Sequence, residues 1–206
     1  MTMSIKERVL SFSKAYSLFQ RLLARPGVDV VSDSLKIASG CKILDIGCGP
    51  ATVVERLPDS VEYCGFDPSE QYIETARLRY GGRPLHSFQV QGIDEADLGE
   101  KNGYFDLVMA LGVVHHLNDE QAAKLFKLAE VALKPGGQFF SIDPVFISNQ
   151  HPIAKWLASM DRGKYVRTPE HYKNLAETSF GGPAEQRIRS DALRLPYNHL
   201  IMKIVK

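Results

Sequence analysis

The sequence lacks the features that mark secreted, disulfide-bonded and membrane-spanning proteins. It has three cysteines, Cys41, Cys48 and Cys64, with no Cys-x-x-Cys pair, so neither a disulfide framework nor a zinc site is indicated. No apolar run approaches the roughly 20 residues of a membrane span, and charged residues occupy positions 6 to 8, where a secretory leader would have its apolar core. We therefore expect a soluble cytoplasmic protein that does not associate with membranes.

Net charge is also nearly absent. The 25 basic and 24 acidic residues give a formal charge of +1, and no block of like charge stands out. Proteins that bind nucleic acid usually carry a basic patch, so this balance disfavours a nucleic-acid partner and favours a small molecule. The 206 residues are enough for one domain with a full core.

The order of apolar segments predicts an α/β fold. Residues 1 to about 38 have apolar positions at three- and four-residue spacing, which predicts a helical N-terminal segment. Helical segments or short loops then separate five short apolar runs, which lie at 42–46, 61–66, 85–90, 105–114 and 137–142. Strands that alternate with helices indicate a mostly parallel sheet with helices on both faces.

The pattern changes after residue 145. Residues 146–182 predict two helices around an irregular basic turn, and in the first helix Trp156 is expected to lie in the core with Ile153 and Leu157. Residues 183–206 predict two strands joined by a tight turn at 196–198, and a tight turn makes such strands antiparallel. We expect a single domain, residues 1–206, whose seven-stranded sheet ends in an antiparallel C-terminal hairpin. Its parts are the N-terminal helical lid (1–38), the core (42–145), the insertion (146–182) and the hairpin (183–206).

A glycine-rich turn follows the first predicted strand. Gly47 and Gly49 would lie at the carboxyl end of that strand, where open parallel sheets bind their ligands. The third glycine of the dinucleotide fingerprint is missing, although Asp67 lies 20 residues after Gly47, where that fingerprint has its acid. An NAD-dependent oxidoreductase therefore stays open as an alternative.

Four segments carry a family resemblance. "LDIGCGP", "CGFDPSEQYIETAR", "YFDLVMALGVVHHL" and "ALKPGGQFFSIDP" follow one another over about residues 42–144. Together they resemble the successive motifs of class I S-adenosylmethionine-dependent methyltransferases. The resemblance implies a Rossmann-like sheet, S-adenosylmethionine as cofactor, S-adenosylhomocysteine as product, and a small-molecule acceptor. A binding module that has kept the cofactor pocket without turnover is a further alternative.

The resemblance implies cofactor contacts at Asp45, Gly47, Cys48, Gly49, Asp67, Pro68, Ile93, Asp94 and Leu111. Asp45 would orient the turn and the ammonium group of the ligand. Asp67 would accept hydrogen bonds from the ribose hydroxyls, or would cap the following helix instead. Ile93 would pack on the adenine ring and Asp94 would accept from its amino group, in a register that the sequence leaves open.

Two residues are candidates for catalysis. His115 follows the fourth predicted strand and could bind the acceptor or take its proton; the alternative is a hydrogen-bonded histidine within the loop. Asp143 ends the fifth strand and would face the same crevice, unless it only forms a turn before Pro144. The motifs of base-modifying methyltransferases, Asn-Pro-Pro-Tyr and Pro-Cys, are absent from "GVVHHL", which again favours a small-molecule acceptor.

The remaining candidates would bind the acceptor: Tyr16, His116, Arg162, Tyr165 and Arg167. Arg162, Tyr165 and Arg167 form a cluster with Lys164 that could bind a carboxylate or phosphate, or could be a solvated basic turn. Tyr16 would close over the acceptor or pack in the core, and His116 has a structural role as its alternative. No metal site is expected.

Overall fold

The structure is a computed structural model, and it describes residues 28–159 and 163–206. These residues form one seven-stranded sheet flanked by helices. The strands are β1 (Lys42–Ile46), β2 (Glu62–Asp67), β3 (His86–Val90), β4 (Phe105–Leu111), β5 (Leu133–Pro144), β6 (Ala184–Arg189) and β7 (His199–Val205). The α-helices are α1 (Val30–Ser34), α2 (Glu70–Tyr80), α3 (Asp119–Ala132), α4 (Pro152–Ser159) and α5 (Pro169–Phe180), and short 3-10 helices span Thr52–Arg56, Ile93–Glu95 and Val114–His116.

The strand order places β1 and β4 side by side in the middle of the sheet. The order is β3-β2-β1-β4-β5-β7-β6, and only β7 runs antiparallel to its neighbours. The chain goes outward from β1 to the β3 edge and then returns to β4 on the other side of β1. The carboxyl ends of β1 and β4 therefore form the switch point where open α/β sheets bind ligands. The predicted fold class is confirmed.

The core has two layers because the buried strands present apolar residues to both faces. Leu44 and Ile46 of β1 belong to the cluster that includes buried residues of α3 and α5. Ile43, from the same strand, belongs to the cluster on the opposite face, which includes residues of α1 and α2. Helix α3 starts at Asn118, whose side chain accepts a hydrogen bond from Gln121 N at 2.9 Å, as expected for an N-cap.

Several local predictions differ from the structure. The glycine turn leads into the 3-10 helix Thr52–Arg56 rather than an α-helix, and within the described part of the N-terminal segment only Val30–Ser34 is helical. Nine residues, 190–198, join β6 to β7 in place of a tight turn. The turn prediction was wrong because Pro196 and Asn198 are turn residues wherever they occur, and they do not fix the loop length.

The expected core position of Trp156 was also wrong. Trp156 is 59% exposed and Ile153 51% exposed, whereas Ala154 and Ala158 are buried. Helix α4 therefore buries its small residues rather than its large apolar ones. Among the residues described, no helix combines the length and apolar character that crossing a membrane requires.

Candidate functional site

The glycine turn lies against the loop that follows β4. Gly47 has φ +68°, and a Cβ atom there would lie 2.7 Å from Val113 Cγ2. Both the backbone conformation and the space therefore require glycine at this position. Gly49 also has a positive φ, +53°. These residues bring exposed backbone to the carboxyl end of β1, as the sequence predicted.

Asp67 holds this turn to the start of helix α2. Its Oδ2 accepts from Gly49 N at 3.0 Å and its Oδ1 from Ser69 N at 2.8 Å. The N-cap of α2 is Ser69, whose Oγ accepts from Tyr72 N, so capping is not the role of Asp67. Burial raises the pKa of Asp67, and the two N–H donors oppose that rise. Each carboxylate oxygen has a second lone pair, so Asp67 can hold the turn and also accept from a ribose.

Asp45 is buried beside the turn with only one oxygen bonded to protein. Its Oδ2 accepts from the Tyr63 hydroxyl at 2.5 Å, whereas Oδ1 has no hydrogen-bond partner among the described residues. Loss of hydration raises the pKa of Asp45 to about 7, and the Tyr63 hydrogen bond opposes this rise. Buried polar atoms without a partner are rare in folded proteins. This oxygen fits a ligand cation such as the ammonium group of S-adenosylmethionine.

The other predicted cofactor contacts lie in different surroundings. Cys48 and Leu111 pack against the core on the Asp45 side of the sheet, Pro68 is exposed beside Asp67, and Ile93 packs against the opposite core cluster. Asp94 is exposed at the surface of α3, where Lys124 Nζ and Gln121 Nε2 bind its two oxygens at 3.0 and 2.9 Å. Burial raises the pKa of the Cys48 thiol well above its usual range, so this thiol is neutral.

His115 and Asp143 form a buried pair where β4 and β5 end. His115 Nδ1 lies 2.9 Å from Asp143 Oδ1, and the same oxygen accepts from the His115 backbone N at 3.2 Å. His115 is 4% and Asp143 2% exposed. Asp143 Oδ2 has no hydrogen-bond partner among the described residues. The His116 ring lies beside that of His115, with centroids 4.1 Å apart. The structure thus brings together the two predicted catalytic residues.

Residues 163–167, here called the strap, run across the loop that carries His115. Tyr165 N donates to His115 O at 2.9 Å. A Cβ atom on Gly163 would lie 1.9 Å from His115 Cδ2, so only glycine fits at this contact. Sequence reasoning missed Gly163, although a glycine in the basic turn "DRGKYVRT" could have suggested a close approach.

Arg167 fastens the strap to the loop after β4, and its predicted role as an acceptor-binding residue needs correction. Nε and Nη2 donate to Asp119 Oδ1, Nη2 also donates to Leu117 O, and Nη1 donates to Val114 O and Tyr165 O, at 2.6 to 3.0 Å. A guanidinium group has five N–H donors, and protein acceptors use all of them. Arg167 is 5% exposed, so it holds the loop and has no donor left for an acceptor anion.

Two predicted acceptor contacts, Tyr16 and Arg162, lie outside the described residues. Tyr165 is 40% exposed and so can meet a ligand from solvent. Within residues 28–159 and 163–206, no group of three His, Cys, Asp or Glu side chains is arranged to hold a metal ion.

Comparison with known proteins points to methyltransferases. Residues 44–139 match the family model of a methyltransferase domain. A curated relative, the ubiquinone biosynthesis O-methyltransferase of Bradyrhizobium sp. (strain ORS 278), is 38% identical over 106 residues, which is 50% of this chain and 40% of the relative. The chain thus matches less than half the length of that relative.

Solved structures share the fold. A putative methyltransferase from Haloferax volcanii, in complex with the Trm112 activator, superposes with a TM-score of 0.72 and 16% identity over 100% of this chain and 99% of its own. Human N-acetylserotonin methyltransferase with bound S-adenosylmethionine superposes with a TM-score of 0.68 and 16% identity. The match covers 98% of this chain and 55% of that one. With the motifs, these findings support a class I S-adenosylmethionine-dependent methyltransferase domain in this chain. S-adenosylmethionine is the cofactor of such methyltransferases, and the glycine turn and the unpartnered Asp45 Oδ1 fit it.

Proposed function

We propose that the protein transfers the methyl group of S-adenosylmethionine to a hydroxyl oxygen of a small molecule. The observation that carries this proposal is the buried His115–Asp143 pair at the carboxyl ends of β4 and β5. An amine acceptor needs no base once it is deprotonated, whereas a hydroxyl must lose its proton as the new bond forms. A histidine held by a carboxylate is suited to take that proton.

The chain's own residues would orient both reactants. Asp67 and the glycine turn would hold the ribose and amino acid parts of the cofactor, with Asp45 on the ammonium group. When bound, S-adenosylmethionine supplies the methyl group from its sulfonium centre. Asp143 fixes the ring of His115 through Nδ1 and so orients the candidate base. Such positioning can supply much of the rate of a displacement reaction.

A phenolic hydroxyl suits this base better than an aliphatic one. Phenols titrate near pH 10 and histidine near pH 6.5, a gap that proton transfer concerted with methyl transfer can bridge. An aliphatic alcohol is a far weaker acid. The relative named as a ubiquinone biosynthesis O-methyltransferase supports an oxygen acceptor. Because Arg167 is fully engaged, an anionic acceptor has less support than the sequence suggested.

The test starts with calorimetric titration of S-adenosylmethionine and S-adenosylhomocysteine, followed by a screen of phenols, alcohols and amines with detection of S-adenosylhomocysteine. We expect both ligands to bind and a phenol to be methylated. With that acceptor, His115→Ala should lower kcat about 10²- to 10⁴-fold, the usual contribution of a general base. Cofactor affinity should change little.

Asp143→Asn is the matched partner variant, since it keeps the size of the side chain but removes the charge that fixes His115. Like His115→Ala, it should lower kcat. A protein that gives no heat and no thermal shift with either ligand at millimolar concentration would refute the cofactor assignment. Kinetics that ignore both substitutions, or an acceptor that proves to be an amine, would refute the role of the pair.

A further inference from the structure

A fully buried tyrosine is hydrogen-bonded to the carboxylate of Asp45, the candidate contact for the ammonium group of the cofactor. Tyr63 lies in β2 with 0% exposure, and its hydroxyl donates to Asp45 Oδ2 at 2.5 Å. Its ring also packs against the rings of His86 and Phe88, with centroids 5.7 and 5.8 Å away. Packing accounts for the ring but not for the hydroxyl, since a phenylalanine would fill nearly the same space.

The path from Tyr63 to Asp45 depends on a glycine. Gly65 is paired with Asp45 across the two strands, and residues two apart in a strand share a face. A Cβ atom on Gly65 would lie 2.9 Å from Tyr63 Cε1 and 2.8 Å from Cys48 Sγ. The Tyr63 ring can therefore lean along β2 towards β1 only because residue 65 has no side chain. Three residues build this one hydrogen bond.

We propose that Tyr63 is a positioning residue for cofactor capture: its hydroxyl holds Oδ2 of the Asp45 carboxylate, so that Oδ1 can receive the ammonium group of the cofactor. This inference rests on the proposed function, since the ligand is S-adenosylmethionine. Tyr63 itself does not touch the reacting atoms. It acts through Asp45.

The groups around Asp45 explain why such help is needed. Burial opposes the charge of Asp45, and the nearby carboxylate of Asp67 also raises its pKa, whereas the Tyr63 hydroxyl lowers it. The Cys48 thiol on the turn also faces Asp45. On the elements packed against this face, the Tyr80 hydroxyl donates to Glu55 Oε1 at 3.1 Å. None of these side chains is a cation, and the pKa of Asp45, about 7, lies close to neutral pH.

The expected effect has a defined sign. The ammonium group prefers the ionised carboxylate, so affinity should rise with pH as Asp45 loses its proton. Removal of the hydroxyl raises the pKa of Asp45, so the midpoint of this rise should move to higher pH in Tyr63→Phe. At pH 7 we expect affinity to fall roughly tenfold, the size of one hydrogen bond to a charged group. At pH 9 most of the difference should disappear.

The experiment is calorimetric titration of S-adenosylhomocysteine from pH 6 to 9 with the wild type and Tyr63→Phe. The ammonium group of the ligand also loses its proton as the pH rises, but it does so equally for both proteins. Tyr80→Phe is the matched control, because it removes another hydroxyl that donates to a carboxylate near the same core; its profile should follow the wild type. In an Asp45→Asn background, Tyr63→Phe should cause no further loss.

Three results would overturn the inference: coincident profiles for Tyr63→Phe and the wild type, an equal loss at every pH, or a loss that persists without the Asp45 carboxylate. If Tyr63→Phe does not fold, Gly65→Ala decides, because it keeps both polar groups but displaces the ring. Its profile should also move to higher pH, and an unshifted profile refutes the inference. A wild type that binds no S-adenosylhomocysteine refutes the proposed function as well, so the two failures are distinguishable.

Discussion

Asp67 uses one carboxylate oxygen for the glycine turn and the other for the start of helix α2. A residue in this place links fold and ligand, because the same carboxylate shapes the turn and can accept from the ribose. Asp45 and Tyr63 show a similar link on the neighbouring strand. At the scale of single residues, the site thus consists of buried carboxylates that backbone and hydroxyl donors hold in place.

Replacement of Asp67 by alanine should weaken the binding of S-adenosylmethionine while the protein stays folded. The loss of hydrogen bonds to a charged group costs about 1.5–3 kcal/mol, so the Kd should rise roughly tenfold to a hundredfold. Calorimetry measures this, with circular dichroism as the test of folding. Asp67→Asn keeps one oxygen acceptor, so its Kd should lie between those of the wild type and Asp67→Ala. If Asp67→Ala binds as the wild type does, the ribose contact lies elsewhere.

The residues that sequence reasoning found are those whose local pattern carries the signal. Gly47 and Gly49 stand out because a strand precedes them, and Asp67 because it ends the next strand at a set distance. Gly65 and Gly163 carry no such signal. They are glycines because the rings of Tyr63 and His115 pass close to them, and such contacts exist only after the chain has folded.

At the scale of elements, the strap and the loop after β4 behave as one unit. Arg167 donates to the carbonyls of Val114 and Leu117 on either side of the pair His115 and His116. It also binds Asp119 at the start of α3, whose other oxygen lies 3.0 Å from His171 Nε2. The insertion that follows β5 therefore fixes the position of the candidate base.

Arg167→Met should both destabilise the protein and lower kcat. It removes the donor to the carbonyls of Leu117 and Tyr165, and one of two donors to Val114 O. Each carbonyl left without a donor costs about 1–3 kcal/mol, so we expect a loss of roughly 2–4 kcal/mol and a lower Tm. The Kd for S-adenosylmethionine should stay near the wild-type value, because Arg167 contacts none of the candidate cofactor residues. Thermal unfolding and kinetics with the acceptor measure both effects.

The matched control is Arg187→Met, which changes an exposed arginine on β6 and should alter neither property. Arg167→Lys should rescue little, since an ammonium group cannot reproduce the planar set of five donors. An Arg167→Met protein with wild-type stability and kcat would show that the strap does not position His115.

The elements of the core were predictable, and those of the insertion were predictable only in part. Strand β1 has the predicted bounds, 42–46, because a short apolar run that ends in a glycine turn specifies it locally. Helix α4 exists as expected, but the prediction of its buried face was wrong: Trp156 is exposed, while Ala154 and Ala158 are buried. The choice between the two faces depends on the shape of neighbouring elements.

At the scale of the whole molecule, the candidate cofactor site buries a carboxyl group whose ionisation is costly inside the fold. Asp45 is almost fully buried, and burial raises its pKa from 3.8 to about 7. The folded state therefore holds a proton that the unfolded chain has released between about pH 4 and pH 7. By linkage, the contribution of Asp45 to stability is greatest below pH 4 and declines as the pH rises to 7. A bound ammonium group would offset this decline.

Asp45→Asn should therefore make the ligand-free protein more stable at pH 8 and less responsive to its cofactor. The amide has no charge to bury, so the Tm difference from the wild type should grow between pH 4 and pH 7 and then level off. In a domain of this size a change of about 1 kcal/mol in stability corresponds to a Tm shift of about 2–4 °C.

The wild type should gain about 2.7 kcal/mol from S-adenosylmethionine at 100 times its Kd, and the variant should gain much less at that concentration. His86, whose pKa burial lowers, titrates in both proteins and cancels in the comparison. Scanning calorimetry from pH 4 to 8 measures the Tm of both proteins, with and without ligand. A Tm difference that does not change with pH would show that Asp45 carries no proton in this range.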